Sequence, residues 1–263
     1  MQTDPMQTDP METDPMKSDL TETEPMKSDL TETDPMETDP VKTIAVLGAT
    51  GMVGSRVITE ARARGHRVLA LSRKPTSEDP GVTPIAVDVT DVPALREALA
   101  GSGTHGGADA VVLTVRTMPV DREFLVGATR AVLDVSAQLG IPVLVVGGAG
   151  ALRSPGDHGL LVADDPAYVP SEWQAVAAAG VAQLRTCQDH PGSHWVYLSP
   201  PALLEPGERT GRYRRGTDTL LTGADGRSWI SAEDLAVAVL DEVEAPGAVP
   251  HITVAHREER LPV

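Results

Sequence analysis

Residues 43–54 read TIAVLGATGMVG, and this stretch decides the fold. Thr43–Leu47 is a short apolar run rich in β-branched residues, which is typical of a strand buried on both faces. Glycines follow at positions 48, 51 and 54, and Ser55–Arg64 has the apolar spacing of a helix. A strand, a glycine-rich turn and a helix in this order indicate the start of a dinucleotide-binding βαβ unit.

The rest of the chain continues this alternation of strands and helices. The predicted strands are His66–Leu71, Pro84–Val87, Ala108–Val115, Ile141–Val146, Trp195–Leu198 and Ile252–Val254. The predicted helices are Val92–Leu99, Asp121–Leu139, Ser171–Gln188 and Ser231–Val243. This order predicts an α/β protein with a Rossmann-type, doubly wound parallel sheet. Ligands of such sheets bind at the rim where the carboxyl ends of the strands meet.

Two stretches interrupt the rhythm on that rim. Gly150–Pro170 and Ser199–Ser228 are both rich in glycine, proline and charge. Long irregular loops in a compact domain are usually functional. We therefore expect them to form a small, mainly C-terminal region that covers the substrate.

The first forty residues have a different composition from the rest. They repeat a five-residue unit such as METDP and carry 12 acidic residues and 2 lysines, which is −10 of the net charge of −16. A segment with so little apolar surface cannot offset its ordering entropy. Residues 1–40 are predicted to be a disordered acidic tail, either a docking segment or a solvated extension. Residues 41–263 are predicted to be an NAD(P)-binding domain.

Composition also restricts the classes of partner. The folded part is mildly acidic, so no nucleic acid or anionic membrane is expected as a partner. Cys187 is the only cysteine, and the chain contains neither a cysteine cluster nor an HExxH motif, so no metal is expected. The chain shows no signal-peptide pattern and no run of 18 apolar residues. These features predict a cytoplasmic protein and leave its oligomeric state open.

The glycine-rich turn is the predicted pyrophosphate site, since glycines let backbone N–H groups approach the phosphates at a helix N-terminus. Its candidate ligand residues are Gly48, Thr50, Gly51, Met52, Val53 and Gly54. An NAD site would place an acid at the end of the second strand. Here that strand ends in Ser72, Arg73 and Lys74, with no acid before Glu78. Two cations and a hydroxyl suit a 2′-phosphate, so the predicted cofactor is NADP(H).

Four motifs together resemble NmrA-like NAD(P)H-binding proteins, a branch of the atypical short-chain dehydrogenases. They are GATGMVG at 48–54, Asp88-Val89, GGAGAL at 147–152 and LSPPALLEPGERTGRYR at 198–214. The resemblance spans residues 42–258, and biliverdin reductase B, which also reduces flavins, is more distantly similar. It implies that Asp88 and Val89 flank the adenine and that Thr114, Val115 and Arg116 line the ribose side. It also implies that Gly147, Gly148, Ala149, Ser199 and Pro200 lie near the nicotinamide.

The usual catalytic pair of short-chain dehydrogenases, Tyr-x-x-x-Lys, is absent. Tyr168, Tyr197 and Tyr213 are followed four positions later by glutamate, proline and threonine, and the lysines stand at 17, 27, 42 and 74. By the resemblance, Gly148 also replaces the serine of biliverdin reductase B. Tyr168 is the predicted catalytic acid, while Tyr197 is expected in the core. Other candidate proton donors at the rim are Thr114, His158, Ser199 and Tyr213.

Together these features predict an NADPH-dependent oxidoreductase that acts on a small organic molecule. A flavin, quinone, enone or biosynthetic intermediate would suit a site that lacks a strong acid. Two alternatives keep the cofactor: a redox-neutral isomerase, epimerase or dehydratase, and a non-catalytic dinucleotide sensor that binds a protein partner. Four arginines, Arg116, Arg212, Arg214 and Arg215, either hold an anionic group of the substrate or are surface charges.

Overall fold

The computed structural model describes residues 40–156, 159–192 and 194–257 of the 263-residue chain. The predicted tail, apart from Pro40, lies outside the described residues, and so does the candidate proton donor His158.

The alternation of strands and helices predicted from the sequence is present. The strands are β1 (Thr43–Leu47), β2 (Arg67–Ser72), β3 (Val82–Ala86), β4 (Ala110–Leu113), β5 (Val143–Val146), β6 (Trp195–Ser199), β7 (Leu203–Glu205), β8 (Tyr213–Gly216), β9 (Trp229–Ser231) and β10 (His251–His256). The helices are α1 (Met52–Ala63), α2 (Val92–Ala100), α3 (Arg122–Leu139), α4 (Gln174–Gln188) and α5 (Ala232–Glu244). Single 3₁₀ turns lie at Ala149–Ala151, Val162–Asp164 and Ser171–Trp173.

The main sheet has the strand order β3-β2-β1-β4-β5-β6-β10-β8. All neighbours are parallel except β8, which runs antiparallel to β10 at the edge. The chain moves outward from β1 to β3 and then returns to place β4 on the other side of β1. That reversal creates the crevice where open α/β sheets bind ligands. The predicted Rossmann-type, doubly wound fold is confirmed.

Helices cover both faces of the sheet. On one face, Val57 of α1 and Leu235 of α5 pack with the strand residues Ile44 and Val112. On the other face, α2, α3 and α4 pack against the alternate side chains of the same strands, such as Leu47 and Leu113. Because β1 and β4 are buried on both sides, they read as continuous apolar runs in the sequence.

Local signals explain where the helices begin and end. Asp91, Asp121 and Ser231 cap α2, α3 and α5 by accepting a backbone N–H three residues later. Gly140 ends α3 in the left-handed conformation (φ 69°), which glycine adopts without strain. Helix α1 begins at Met52, three residues earlier than predicted, since the glycine-rich turn runs straight into the helix.

Three strands were not predicted. Both β7 and β8 lie within Ser199–Ser228, which was predicted to be irregular, and β9 begins directly after it. Strands β7 and β9 form a separate parallel pair, and β8 closes the edge of the main sheet. None of the helices in the described ranges is long and apolar enough to cross a membrane.

Candidate dinucleotide-binding site

The glycine-rich turn brings three backbone segments into direct contact. Gly48 has φ +86°, and a Cβ on it would lie 2.6 Å from Thr114 Oγ1. A Cβ on Gly54 would lie 2.2 Å from the Gly48 carbonyl oxygen. The turn after β1, the first turn of α1 and the end of β4 therefore fit together only with glycine at both positions.

The N-terminus of α1 is open to a ligand. Its N-cap, Gly51, has no side chain to cap the helix, and the first turn carries no acidic residue. Thr50 and Met52 are exposed beside it. The uncapped N–H groups and the positive end of the helix dipole suit an anion such as a pyrophosphate. The residues at this turn thus fit the predicted dinucleotide.

The end of β2 presents positive charge. Arg73 and Lys74 are exposed, and neither makes a hydrogen bond or ion pair with the described residues. The hydroxyl of Ser72 is buried and has no partner among those residues.

Asp88 lies where the adenine is expected. The backbone N–H and the hydroxyl of Thr90 donate to one carboxylate oxygen, at 2.9 and 2.7 Å. These bonds, together with the nearby charge of Arg73, hold the pKa of Asp88 below its ordinary value. The carboxylate is therefore an ionised acceptor on the surface. The side chain of Val89 is buried in the core, so only its backbone is left to face a ligand.

The residues that follow β4 have separate roles. Thr114 donates its hydroxyl to the Leu47 carbonyl oxygen at 2.9 Å, which ties the ends of β1 and β4 together. Thr114 thus has a structural contact, and its roles on the ribose side and as a proton donor stay predictions. Val115 packs against the core, whereas Arg116 is exposed and contacts Met118 Sδ at 3.4 Å.

The two glycines after β5, Gly147 and Gly148, differ in the space around them. A Cβ on Gly147 would lie 2.0 Å from the hydroxyl oxygen of Tyr197, so glycine makes room for that ring. A Cβ on Gly148 would meet nothing within 4 Å. Tyr197 is fully buried, donates to the Gly180 carbonyl oxygen at 2.9 Å, and has its pKa raised by burial. The expectation that Tyr197 belongs to the core agrees with this placement.

Ser199 is not an open hydroxyl at the rim. Its side chain is fully buried, and its Oγ lies 3.0 Å from His251 Nε2 on the neighbouring strand β10. Burial lowers the pKa of His251, which Asp218 partly opposes, so the imidazole is neutral at neutral pH. Ser199 and Pro200 are both buried, so contact with a nicotinamide would need a local movement.

The irregular segment after β5, residues 149–156 and 159–173, and the segment after β8, residues 217–222, together form what we call the cap. Backbone hydrogen bonds join Arg153 to Asp218 and to Leu220. Four cap residues, Leu152, Val162, Val169 and Leu220, form an apolar cluster with Ala177 of α4. The chain enters the cap directly from Gly148, so the cap adjoins the expected nicotinamide position.

Tyr168, the predicted catalytic acid, belongs to this cap. It is partly buried against the apolar cluster, and its hydroxyl makes no hydrogen bond with the described residues. Trp173, in the 3₁₀ turn before α4, is 46% exposed. The catalytic role of Tyr168 stays a prediction.

Tyr213 and two of the four arginines serve the fold. Tyr213 donates its hydroxyl to Asp241 of α5 at 2.5 Å, and burial together with this bond raises its pKa. Arg214 donates to the Thr222 carbonyl oxygen at 2.9 Å, and Arg215 pairs with Glu242 at 3.0 Å. Strand β8 thus holds all three side chains in contacts within the protein, and their roles as a proton donor and an anion clamp stay predictions.

The EPGERTG segment, residues 205–211, also has a structural role, and we call it the strap. Buried Asp234 accepts the N–H groups of Thr210 and Gly211, both at 2.8 Å, and the Thr210 hydroxyl at 2.6 Å. Arg209 binds Glu60 of α1 with two hydrogen bonds, at 2.6 and 2.8 Å. The strap thus joins α1 to α5. These contacts give residues 205–211 a structural role, and the expectation that Ser199–Ser228 covers the substrate stays a prediction.

Sequence reasoning missed the residues that anchor the strap. Glu60, Glu233 and Asp234 looked like ordinary charges of helix surfaces, yet Glu60 is 3% exposed and Asp234 is fully buried. Glu233 accepts the Gly207 N–H at 2.7 Å and pairs with Arg56 at 2.9 Å. For Glu233 and Asp234 the signal in the sequence was their place in the first turn of α5, after the N-cap Ser231, where acids can accept N–H groups of a neighbouring loop.

The comparison with known proteins agrees with this geometry. The sequence model of a family described as NAD(P)H-binding matches residues 48–246. The chain belongs to this NAD(P)H-binding family. The uncharacterised protein YwnB of Bacillus subtilis (strain 168) is 33% identical over 223 residues, which are 84% of this chain and 97% of YwnB.

Solved structures show the same relationship. A candidate exported protein from Burkholderia pseudomallei is 36% identical with a TM-score of 0.73, covering 82% of this chain and 100% of that one. A candidate epimerase from Bacteroides thetaiotaomicron is 31% identical with a TM-score of 0.74, covering 84% and 100%. A candidate NADH-flavin reductase from Streptococcus pneumoniae TIGR4 is 26% identical with a TM-score of 0.68, covering 82% and 100%.

These comparisons confirm the NmrA-like, Rossmann-type relationship and a nicotinamide dinucleotide as the cofactor class. They also agree with the prediction of an oxidoreductase. The identities of the individual ligand residues stay predictions that rest on the geometry described above.

Proposed function

We propose that this protein is an NADPH-dependent reductase of a small, flat organic acceptor such as a flavin, a quinone or a conjugated enone. The proposal rests on which polar groups the described residues leave open at the rim formed by the carboxyl ends of the strands. This rim offers an open glycine cradle and an uncapped helix N-terminus for the dinucleotide, while its polar candidates Thr114 and Ser199 are committed to protein contacts.

The choice of NADPH over NADH rests on the end of β2. Ser72 has a buried hydroxyl without a partner in the described chain. The charged groups of Arg73 and Lys74 are exposed and could bind an anion. An NAD site would have a carboxylate at this point for the ribose hydroxyls. The Streptococcus pneumoniae relative is named for NADH, so this preference is proposed for the present chain alone.

The nicotinamide, when bound, supplies a hydride. The protein's own contribution is to orient the two reactants and to exclude water. Tyr168 is the proposed residue to hold a proton for the acceptor, and it lacks the lysine four positions later that short-chain dehydrogenases use. Acceptors whose reduced forms take protons from solvent are therefore favoured over plain ketones.

The exposed apolar side chains agree with a flat acceptor. Met52, Met118 and Trp173 are 36%, 63% and 46% exposed, respectively. They lie in the segments that follow β1, β4 and β5, three adjacent strands that end at the same rim. Methionine adapts its shape to ligands, and an exposed indole offers a ring face for stacking.

The experiment is to follow NADPH and NADH consumption in parallel with a flavin, a quinone, an enone and a simple ketone. We expect turnover with at least one of the first three, a clear preference for NADPH, and little turnover of the ketone. Efficient reduction of simple ketones would show that the rim has a proton relay not described above. Absence of NADPH consumption with every acceptor would overturn the reductase proposal.

Replacing Tyr168 with phenylalanine tests its role directly. We expect turnover to fall by no more than about 10²-fold, the lower range of general-acid effects, with NADPH affinity unchanged. Steady-state rates and fluorescence titration measure the two quantities. Tyr213→Phe is the matched control, since its hydroxyl contacts Asp241 and should affect stability rather than turnover. Complete loss of activity in Tyr168→Phe would instead make the tyrosine an obligatory acid.

A redox-neutral reaction is the second candidate, since the Bacteroides thetaiotaomicron relative at 31% identity is named as a candidate epimerase. Such an enzyme would hold NADP tightly and return the hydride to the same molecule. Retention of NADP through purification, with substrate turnover but no net change in NADPH absorbance, would favour it over the reductase.

We also propose that residues 41–263 are the dinucleotide-binding domain and that the protein is cytoplasmic. The single cysteine, Cys187, supports that location.

Deletion of residues 1–40 is then expected to leave both the melting temperature and the NADPH affinity unchanged. Thermal unfolding and titration of the two chains check this. A marked drop in either quantity would mean that the repeat is part of the folded domain.

A further inference from the structure

The described part of the chain contains only two lysines, Lys42 and Lys74. Lys42 has a structural role, because its Nζ donates to the carbonyl oxygens of Val243 and Glu244 at 2.7 and 3.3 Å. These bonds satisfy carbonyl groups at the C-terminal end of α5, so a reaction at this nitrogen would disrupt contacts of the fold. Lys42 is therefore protected in the folded protein.

Lys74, by contrast, has a free amine. It is exposed where the chain bends after β2, and it makes no hydrogen bond or ion pair with the described residues. Asp79, in the loop that follows, instead pairs with Arg62 of α1 at 3.1 Å and accepts the Gly81 N–H at 2.7 Å. The amine of Lys74 can therefore lose its proton to solvent without breaking a contact of the described residues.

The residue before Lys74 favours an anionic reagent. Arg73 is also exposed and makes no ion pair with the described residues. A guanidinium binds a phosphate group through two parallel N–H bonds. In an acyl phosphate, the electrophilic carbonyl carbon is joined to a phosphate oxygen, so binding of that phosphate by Arg73 brings the carbon near the adjacent lysine. The two side chains thus provide an anchor and a nucleophile.

We propose that Lys74 is a modification site, at which the amine is acylated by an acyl phosphate. The unprotonated nitrogen attacks the carbonyl carbon and forms a C–N bond. The bond from this carbon to the phosphate oxygen breaks, inorganic phosphate leaves with the electron pair, and the nitrogen gives its extra proton to solvent. The product is a neutral amide, so the end of β2 loses one of the two positive charges of Arg73 and Lys74.

Acylation also changes the proposed cofactor preference, and this part of the inference rests on the proposed function. The 2′-phosphate is the group that distinguishes NADPH from NADH, and Arg73 and Lys74 are the cations proposed to bind it. Loss of the Lys74 charge is expected to weaken NADPH binding about tenfold, the effect of one hydrogen bond to a charged group, and to leave NADH binding unchanged. Modification then reduces the preference of the protein for NADPH over NADH.

Mass spectrometry of the full chain incubated with acetyl phosphate tests the site, with Lys17 and Lys27 as references. Each reference lysine is followed by serine and aspartate, and neither has a basic neighbour in the sequence. We expect Lys74 to be acetylated several-fold faster than both references, and Lys42 to stay unmodified. Adenosine 2′,5′-bisphosphate should protect Lys74 and not the references. With N-succinimidyl acetate, an uncharged acetylating reagent, Lys74 should lose its advantage.

Arg73→Ala separates the anchor from the simple exposure of the lysine. We expect this variant to reduce the acetylation of Lys74 by acetyl phosphate to the rate of the references, with the N-succinimidyl acetate reaction unchanged. The matched control is Arg67→Ala, because Arg67 is an exposed arginine at the other end of β2 whose side chain makes no hydrogen bond with the described residues. Equal acetylation of Lys74 and the references by acetyl phosphate, or an unchanged rate in Arg73→Ala, would overturn the modification site.

The effect on the cofactor is measured separately, by calorimetric titration of NADPH and NADH. Lys74→Gln should bind as the acetylated protein does, and Lys74→Arg should keep the wild-type NADPH affinity. If the wild-type chain prefers NADPH and Lys74→Gln keeps that preference, the link between modification and cofactor is overturned and the proposed function stands. If the wild-type chain binds NADH as tightly as NADPH, the proposed cofactor and this link are both overturned, while the acetylation rates still decide whether Lys74 is the site.

Discussion

Gly54→Ala is expected to abolish tight dinucleotide binding and to destabilise the protein. The added Cβ would lie 2.2 Å from the carbonyl oxygen and 2.8 Å from the carbonyl carbon of Gly48. Both are backbone atoms of the turn that we predict to hold the pyrophosphate, so neither can move without opening that turn. Overpacking of a rigid site typically costs about 1–3 kcal/mol, and here part of that cost falls on the ligand-binding conformation itself. We expect the NADPH dissociation constant to rise by at least about tenfold.

Gly127→Ala is the matched control, because Gly127 lies in helix α3 and a Cβ there would meet nothing within 4 Å. Alanine is the better helix former, by roughly 1 kcal/mol, so this variant should be at least as stable as the wild type. Chemical denaturation and NADPH titration of the three proteins give both quantities. Wild-type NADPH affinity in Gly54→Ala would mean that the glycine-rich turn is not the pyrophosphate site.

The central strands and the cofactor turn could be predicted because their signals are local. Thr43–Leu47 is apolar because β1 is buried on both faces, and Gly48 and Gly54 stand where backbone approaches backbone. Helix ends such as Asp121 and Gly140 carry their own capping signals. In each case neighbours along the chain supply the physical cause, so the pattern is visible in the sequence.

The strands and contacts that were not predicted depend on partners distant in sequence. The sequence of β8 is YRRG, which lacks an alternation of apolar and polar residues. The strand forms because it pairs with the edge strand β10 and because Arg215 forms an ion pair with Glu242. Ser199 was predicted at the nicotinamide, but β10 brings His251 beside it, 52 positions later. Likewise, nothing next to Glu60 in the sequence shows that Arg209 will cover it. Side-chain pairing of this kind follows from the tertiary fold.

The second large effect is expected from Asp234→Ala, which should destabilise the protein because Asp234 anchors the strap. This carboxylate is fully buried and accepts three hydrogen bonds from Thr210 and Gly211. Asp234→Ala would leave two backbone N–H groups and one hydroxyl without their acceptor. A buried donor left unsatisfied costs about 1–3 kcal/mol, so we expect the free energy of unfolding to fall by at least about 3 kcal/mol. Asp234→Asn keeps one acceptor oxygen and should lose less.

Glu208→Ala is the matched control, since Glu208 is an exposed acid of the strap whose side chain makes no hydrogen bond or ion pair with the described residues. Urea denaturation measures the stabilities, and NADPH titration at a temperature where all variants are folded measures affinity. Because the strap joins α1 to α5 and not the cap to the rim, Asp234→Ala should lose stability with little change in affinity. A large loss of NADPH or substrate affinity in the folded variant would instead return the strap to the role of a substrate cover, with Asp234 holding it in place over the ligand.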